Sequence, residues 1–292
     1  MILQALYRYY EILIKDPNVE IALPGYSAAN INFALNLSTQ GELLDIFPFA
    51  TQVQQGNKTR EIPSRRMVVP EQVVRTVGIA SNFLWDNTAY VLGVSEKDQE
   101  KPEYSRQRFE AFREHNLTLL TKANCSAARA VIAFLQQYDP STARTHSVIA
   151  RHLDGLLKGG NLIFQVEGQN VLDDPEIKRV WEEYQADGQA DVMQCLVSGL
   201  EEPIARLHPS IKGVRDAQAT GASLVSFNDR AYESYNRAKG QGLNSPVSQR
   251  VASGYGVALN YLLSPQNPNR KIYIGDATVV YWAESPDTRY GN

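Results

Sequence analysis

Between residues 103 and 158, apolar side chains recur at helical spacing three times in succession. Phe109, Phe112, Leu119 and Leu120 mark the first run; Ala127, Ala128, Val131, Ile132 and Leu135 mark the second; Val148, Ile149, Leu153, Leu156 and Leu157 mark the third. Gly159 and Gly160 stop the last run, because glycine readily takes the left-handed conformation that closes a helix. Three helices in a row commit this part of the chain to a helical scaffold. Its neighbours carry another period. Ile31, Phe33, Leu35 and Leu37 alternate with Asn30, Asn32 and Asn36, as on a half-buried strand, and the turn at Thr39 to Gly41 before LLDIF predicts a hairpin.

The same two periods organise the rest. Ile2, Leu3, Leu6, Tyr9, Tyr10 and Leu13 predict a short amphipathic helix, and NLIFQV from Asn161 to Val166 reads as a strand. Asp174 followed by Pro175 predicts a helix start, with Ile177, Val180, Trp181 and Tyr184 on one stripe. Strand character returns in VMQCLV, with PIARLH and SLVSF as candidate partners. Ser245 and Pro246 predict the opening of a helix through Val251, Val257, Ala258, Leu262 and Leu263. Gly254 and Gly256 inside it each cost about 1 kcal/mol against alanine, so a close approach of backbone or ligand is expected there. The stretch from Lys271 to Trp282 is rich in Ile, Val, Tyr and Thr and is expected to be a final strand closing a sheet. The predicted fold class is α+β: mixed, mainly antiparallel sheets with a helical insertion and no C-terminal helical bundle in this chain. Residues 1–100 read as a β-rich lobe with a basic loop, 101–190 as the helical scaffold, and 191–292 as an α+β lobe. No Gly/Ser-rich or Pro-rich linker divides them, so one compact unit is expected.

Charge is unevenly placed. From Arg206 to Lys271 there are nine cationic and three anionic side chains, in a chain whose net charge is −3. A chain that gathers positive charge in one segment has a candidate polyanion-facing surface, although basic runs are more often solvated faces. A second basic stretch, from Gln54 to Arg75, holds Lys58, Arg60, Arg65, Arg66 and Arg75 and reads as a polar loop. An overall pI near 5.9 argues against a free-standing, indiscriminate DNA binder.

Catalytic chemistry finds little support. His146 and His152 lack adjoining Cys or carboxylate ligands, Cys195 has no CxxC partner, and no GxSxG occurs. Gly240-Gln241-Gly242 lacks the third glycine of a dinucleotide fingerprint. Neither a catalytic residue, a metal ligand nor a cofactor is predicted. Cys125 and Cys195 are expected to be free thiols in a reducing cytoplasm. No apolar run reaches membrane-spanning length, and Arg8 and Glu11 interrupt the apolar start, so a soluble cytoplasmic protein is expected.

Several blocks stand in a telling order: CLVSG from Cys195, IARLHPSIKGV, TGASLVSFN, ESYN, LNSPVS, ALNYLL and IGDATVVYWAE. Upstream are MILQALYRYYE, VPEQ ending at Gln72, FLWDNTAYVLG from Phe83 to Gly93, and Phe109, Phe112 and Asn116 in an FxxFxxxN pattern. Together they resemble the large subunit of the type I-C CRISPR surveillance complex (Cascade), over nearly the whole chain. Two departures are Asn236, where the family commonly has glycine, and a longer connector from Tyr235 to Asn244. The family's chains run much further and end in a helical bundle, so the resemblance implies an N-terminal portion.

The resemblance implies a non-catalytic subunit that finds a protospacer-adjacent motif in double-stranded DNA and helps open the duplex for guide pairing. Implied partners are the RNA-handle and backbone subunits, the crRNA and the target DNA, with a helicase-nuclease recruited by the full complex. Within that role, Asn228, Lys239 and Gln241 are the expected readers, since amides and amines reach base edges, and Gln241 is also a candidate wedge. Arg206, Lys212, Arg215, Arg230 and Arg237 are expected on the DNA backbone, and Lys58, Arg60, Arg65 and Arg66 form a possible second nucleic-acid contact. Two competing readings are an assembly module that docks on the RNA-handle subunit and a nuclease using carboxylates such as Asp276 and Glu284.

Overall fold

The structure is a computed structural model. It describes residues 2–284 apart from 18, 20, 56–57, 74, 76–77, 102, 187–190, 219–220, 228–231, 233–241 and 266, and no side chain over 51–60 or at 186. The chain opens with helix α1 (Ile2–Leu13), which buries Leu6, Tyr7, Tyr9, Tyr10 and Leu13, the stripe expected from its spacing apart from the exposed Ile2. Contacts gather residues 1–25 with 189–292 into one unit and residues 26–188 into another. The fold is α+β in each, and every sheet is antiparallel but for one parallel pair among the described strands.

In the 26–188 unit the predicted strand at 31–37 is two strands, β1 (Tyr26–Ile31) and β2 (Phe33–Leu37), in different sheets. Asn32 divides them because it is bonded on every side. Its backbone N–H donates to the Asn161 carbonyl, its carbonyl accepts from Phe49, and its carboxamide donates to Pro63 and accepts from Asn161. The expected hairpin follows, β2 with β3 (Leu43–Pro48), and Gly41 makes it possible. Its φ is +84°, and a Cβ there would meet Ala133 at 2.6 Å.

Residues 54–75 differ from the loop expected of them. Strands β4 (Thr51–Gln55) and β5 (Lys58–Ile62) form a hairpin joined by two residues, and β6 (Arg65–Pro70) pairs with β1. The polar composition hid a strand whose second half, Val69 and Pro70, is buried. Then come β7 (Trp85–Asn87), the single turn α2 (Thr88–Val91), and the three predicted helices α3 (Tyr104–Leu120), α4 (Ser126–Gln137) and α5 (Ser147–Leu157). Gly159 and Gly160, at φ +87° and +137°, close α5 as expected. Strand β8 (Asn161–Val166) enters the middle of the main sheet, parallel to β2 and antiparallel to β7 and to the short β9 (Gln169–Asn170). Helix α6 (Pro175–Ala186) is capped by Asp174, whose carboxylate accepts from Glu176 and Ile177.

The core lies between sheet and helices, where Phe112 and Phe134 meet Phe164, and Trp181 stacks on Phe83 at 5.4 Å. Each such side chain contributes about 1.5–3 kcal/mol on burial. Through this core runs a polar knot that accounts for three of the sequence blocks. Asn116 is fully buried; its carbonyl accepts from Leu84 N–H at 2.7 Å and its amide donates to Asn82 and Phe112 carbonyls. Trp85 Nε1 donates to the Pro70 carbonyl of VPEQ. Asp86 accepts from Arg75 and from the Asn82 and Asn87 amides; burial pushes its carboxyl up against the opposing pull of Arg75. Arg75, counted among the basic-loop charges, is therefore an internal ion-pair partner, also lying over the Tyr90 ring at 4.2 Å.

The other unit joins α1 to helix α7 (Gln249–Leu263), reached through three short pairings: β10 (Val192–Gln194) with β11 (Glu201–Pro203), β12 (Ser210–Ile211) with β13 (Ala222–Ser223), and a bridge from Ile204 to Ser248. PIARLH and SLVSF thus do not both pair with VMQCLV. After Pro203 the chain bonds to residues 247–248 instead, and Ser223 belongs with Ser210. Helix α7 begins later than predicted because Ser248, not Ser245, supplies the cap to Val251 N–H, while Pro246 and Val247 stay extended and accept from Leu196 and Ala205. The expected close approach at its glycines is α1 and a loop. A Cβ on Gly254 would lie 2.8 Å from the Tyr7 and Tyr10 rings, and one on Gly256 would lie 2.3 Å from Pro209. The final strand is a hairpin, β14 (Lys271–Ile274) and β15 (Ala277–Val280), because Gly275, at φ +57°, takes the first position of a two-residue turn.

Candidate nucleic-acid interface

The block IARLHPSIKGV is a strap laid along α7. Ala205 N–H donates to Val247, His208 Nδ1 lies 2.7 Å from the Tyr255 hydroxyl, and Pro209 rests on Gly256. Asn260 of α7 grips the strap on both sides of Ile211, accepting from Lys212 N–H at 2.7 Å and donating to the Ser210 carbonyl at 3.1 Å. Gly213 follows at φ +82°, where a Cβ would meet the Leu263 carbonyl at 2.8 Å, so only glycine fits. Arg215 is then tied to the β14–β15 hairpin through its N–H on Thr278 Oγ1, with its guanidinium 5.6 Å from the Tyr273 ring. The backbone is anchored at each step, and the side chains of Lys212 and Arg215 are left at the surface.

Electrostatics separates the cations of this segment into two kinds. Arg250 pairs with Glu202 at 2.8 Å and with the Tyr7 hydroxyl, Lys271 Nζ donates to the Leu263 carbonyl, and Arg206 pairs with Asp191 at 2.5 Å. The Arg250 and Lys271 bonds hold the unit together, whereas Arg206 and Asp191 are both exposed, so solvent weakens their pair. Arg215 is 3.7 Å from Asp216, a pair so exposed that solvent screens it, and Lys212 is exposed beside it in the strap. Asn228, Arg230, Arg237, Lys239 and Gln241 lie outside the described residues. The described residues flanking 233–241 are held near the strap: Asn244 donates to the Tyr232 carbonyl, and Gly242 packs against the Ala205 and Arg206 carbonyls.

In the 26–188 unit, Arg65 and Arg66 are exposed on β6, opposite Ile31 and Asn30. Lys58 and Arg60 lie in β5, their side chains outside the described set.

CLVSG forms a turn around its own thiol. Cys195 Sγ accepts from the amides of Val197, Ser198 and Ser248. Burial pushes this thiol up, but the Ser198 hydroxyl and these amides outweigh it and bring it down to about 7. Ser198 also donates to Glu202, the partner of Arg250, so CLVSG, the α7 start and α1 share one network. Cys125 instead caps α4, accepting from Ala128. Both cysteines are free. Sequence reasoning missed Asn260, Glu202 and Thr278. A polar residue inside the apolar run ALNYLL was the one available signal, for Asn260.

Among the described residues no three His, Cys, Asp or Glu side chains gather as metal ligands. His146 caps α5, His152 lies 3.9 Å from Asp45, Asp276 sits in the β14–β15 turn, and Glu284 lies 3.9 Å from Arg8. No described helix is long and apolar enough to cross a membrane.

The model of a protein family described as CRISPR-associated protein (Cas_Csd1) matches residues 6–291. The chain belongs to the CRISPR-associated Csd1 family. No curated protein matches it. The family match takes in both units, so the buried knot around Asn116 and the strap on α7 both lie within the Csd1 region.

Proposed function

We propose that this Csd1-family chain is a non-catalytic part of the large subunit of a type I-C CRISPR surveillance complex, working in the cytoplasm to recognise a protospacer-adjacent motif in duplex DNA and to start its opening. Guide pairing then reads the target sequence, while protein reads the short motif and the backbone. Its partners in this reading are the RNA-handle and backbone subunits, crRNA and target DNA, with a helicase-nuclease recruited by the assembled complex. The observation that carries the proposal is the strap: Lys212 and Arg215 are exposed cations on a backbone fixed by Asn260, Gly213 and Thr278. Such residues contact phosphates in register at little ordering cost. Arg230 and Arg237 extend the same role, Arg206 borders it through its pair with Asp191, and Asn228, Lys239 and Gln241 are the proposed readers. Arg65 and Arg66, with Lys58 and Arg60, are the proposed second contact. Lys212→Ala with Arg215→Ala is expected to weaken duplex binding for every sequence alike and to lower the slope of log affinity against log salt by about 2. An unchanged slope would remove the strap from the interface.

One observation favours an assembly role beside this one. Ile272, Ile274 and Val279 share the exposed face of the β14–β15 hairpin, an apolar surface suited to a protein neighbour. If Ile272→Ser with Ile274→Ser blocks entry into the complex while the strap variants bind DNA normally, docking is the chain's main task.

A further inference from the structure

Lys212 and Arg215 are both exposed on the strap, but only the Arg215 side chain is held by a second element. The register of the β14–β15 hairpin puts Tyr273 directly opposite Thr278, on the side away from Ile272, Ile274 and Val279. Both members of that pair reach Arg215. Its backbone N–H donates to Thr278 Oγ1 at 3.3 Å, and its guanidinium lies 5.6 Å from the centre of the Tyr273 ring. At the turn of the hairpin, Arg215 Nη1 donates to the Gly275 carbonyl at 3.5 Å. Nε is 3.7 Å from the exposed Asp216 carboxylate, a pair that solvent screens, and Nη2 has no bond among the described residues. Lys212 is bonded through its backbone N–H, and its ammonium has no partner among the described residues. Tyr273 is half exposed and its hydroxyl makes no described bond, so the ring is what it offers to Arg215.

We propose that Tyr273 is a positioning residue, holding the Arg215 guanidinium against its ring so that Nη2 meets one phosphate of the duplex backbone. This role rests on the strap being a DNA contact, as proposed above. A long side chain on an exposed loop loses rotamer freedom when it binds, and that loss opposes binding. The Tyr273 ring attracts the guanidinium charge, and the Gly275 carbonyl fixes Nη1, so part of the ordering is complete before DNA arrives. Because Nη1 is taken by the hairpin, Nη2 keeps both its N–H groups for a phosphate oxygen, and a bond between two charged groups is stronger than one between neutral groups. Lys212 lacks such a support, so the two cations differ in kind: Arg215 is aimed by the hairpin, and Lys212 follows the backbone through its own mobile stem.

The test follows duplex binding by the full chain from about 50 to about 200 mM salt, where each phosphate contact adds about 0.9 to the slope of log affinity against log salt. Tyr273→Ala is expected to lower the slope by about 1, as Arg215→Ala does. The two together are expected to lower it no further than Arg215→Ala alone, because both act on one contact. Tyr273→Phe keeps the slope, and Tyr273→Leu, which fills the place without an aromatic face, lowers it as alanine does. An unchanged slope in Tyr273→Ala, a loss that adds to that of Arg215→Ala, or full binding by Tyr273→Leu overturns the proposal and leaves the strap as a DNA contact. An unchanged slope in Arg215→Ala, or no binding by the unaltered chain, removes the strap reading itself. Tyr273 is half exposed, so little packing is lost, and melting temperatures check each variant; if alanine lowers the melting temperature, the leucine variant decides.

Discussion

Asn116→Ala is expected to lower the stability of the 26–188 unit by about 4 kcal/mol, the largest effect of any single polar substitution in it. Asn116 is fully buried, with no exposed surface. Its carbonyl holds the N–H of Leu84, a residue at φ +60°, and its amide joins the carbonyls of Asn82 and Phe112. Alanine takes the acceptor from the buried Leu84 N–H and the amide donor from the Asn82 carbonyl, while the Phe112 carbonyl keeps its helical bond, and it opens a cavity beside Phe112. Leu84 adds to the loss, because a leucine in the left-handed region stays there only while its surroundings hold it. Urea unfolding followed through Trp85 and Trp181, with the slope unchanged, measures the loss. A cost below about 1 kcal/mol would mean that the knot is not a structural support.

Gly256→Val is the second, with an expected cost of about 3 kcal/mol to the unit formed by residues 1–25 and 189–292. A Cβ at this position would come within 2.3 Å of Pro209, whose ring cannot swing away as a long side chain could. Relief requires the strap to lift from α7, which also disturbs the grip of Asn260 on Lys212 and Ser210. Gly256→Ala sharpens the test because its two contributions oppose each other. Helix propensity favours alanine by about 1 kcal/mol, while contact with Pro209 opposes it more strongly, so net destabilisation is expected. Thermal unfolding followed through Trp282 reads both variants. A stabilised Gly256→Ala would show that the strap does not lie on α7.

The parts of this fold legible in the sequence are those governed by local periodicity. Helices α3, α4, α5 and α6 repeat their apolar residues over three or more turns, and Gly159, Gly160 and Asp174 end or begin them with recognisable chemistry. The split at Asn32 was hidden because the alternation of period two continues unbroken from Ile31 to Phe33. What separates the strands is a set of bonds to Phe49, Pro63 and Asn161, distant in sequence. The β14–β15 hairpin was legible in principle, since Gly275-Asp276 is a turn dipeptide, but the Ile, Val and Tyr content on both sides reads as one strand.

The candidate interface was less legible than the fold for an electrostatic reason. Counting charge along the chain treats Arg206, Arg250 and Lys271 like Lys212, yet their partners are Asp191, Glu202, Tyr7 and the Leu263 carbonyl. Glu202 and Tyr7 stand 48 and 243 residues from Arg250 in the chain. Composition located a basic segment, and only the tertiary pairing distinguishes the cations that hold the unit together from those that face outward. The clamp by Asn260 follows the same logic, because one polar residue in an apolar helix announces a partner without naming it.

The measurement that tests motif recognition most directly adds this chain to a guide-loaded complex lacking its large subunit and follows binding to duplexes that differ only in the base pairs beside the target. Binding is expected to tighten for one motif. Asn228→Ala should abolish that preference, whereas Lys212→Ala with Arg215→Ala should weaken all duplexes equally. Equal affinity for every duplex, with the chain demonstrably in the complex, would contradict motif recognition by these residues.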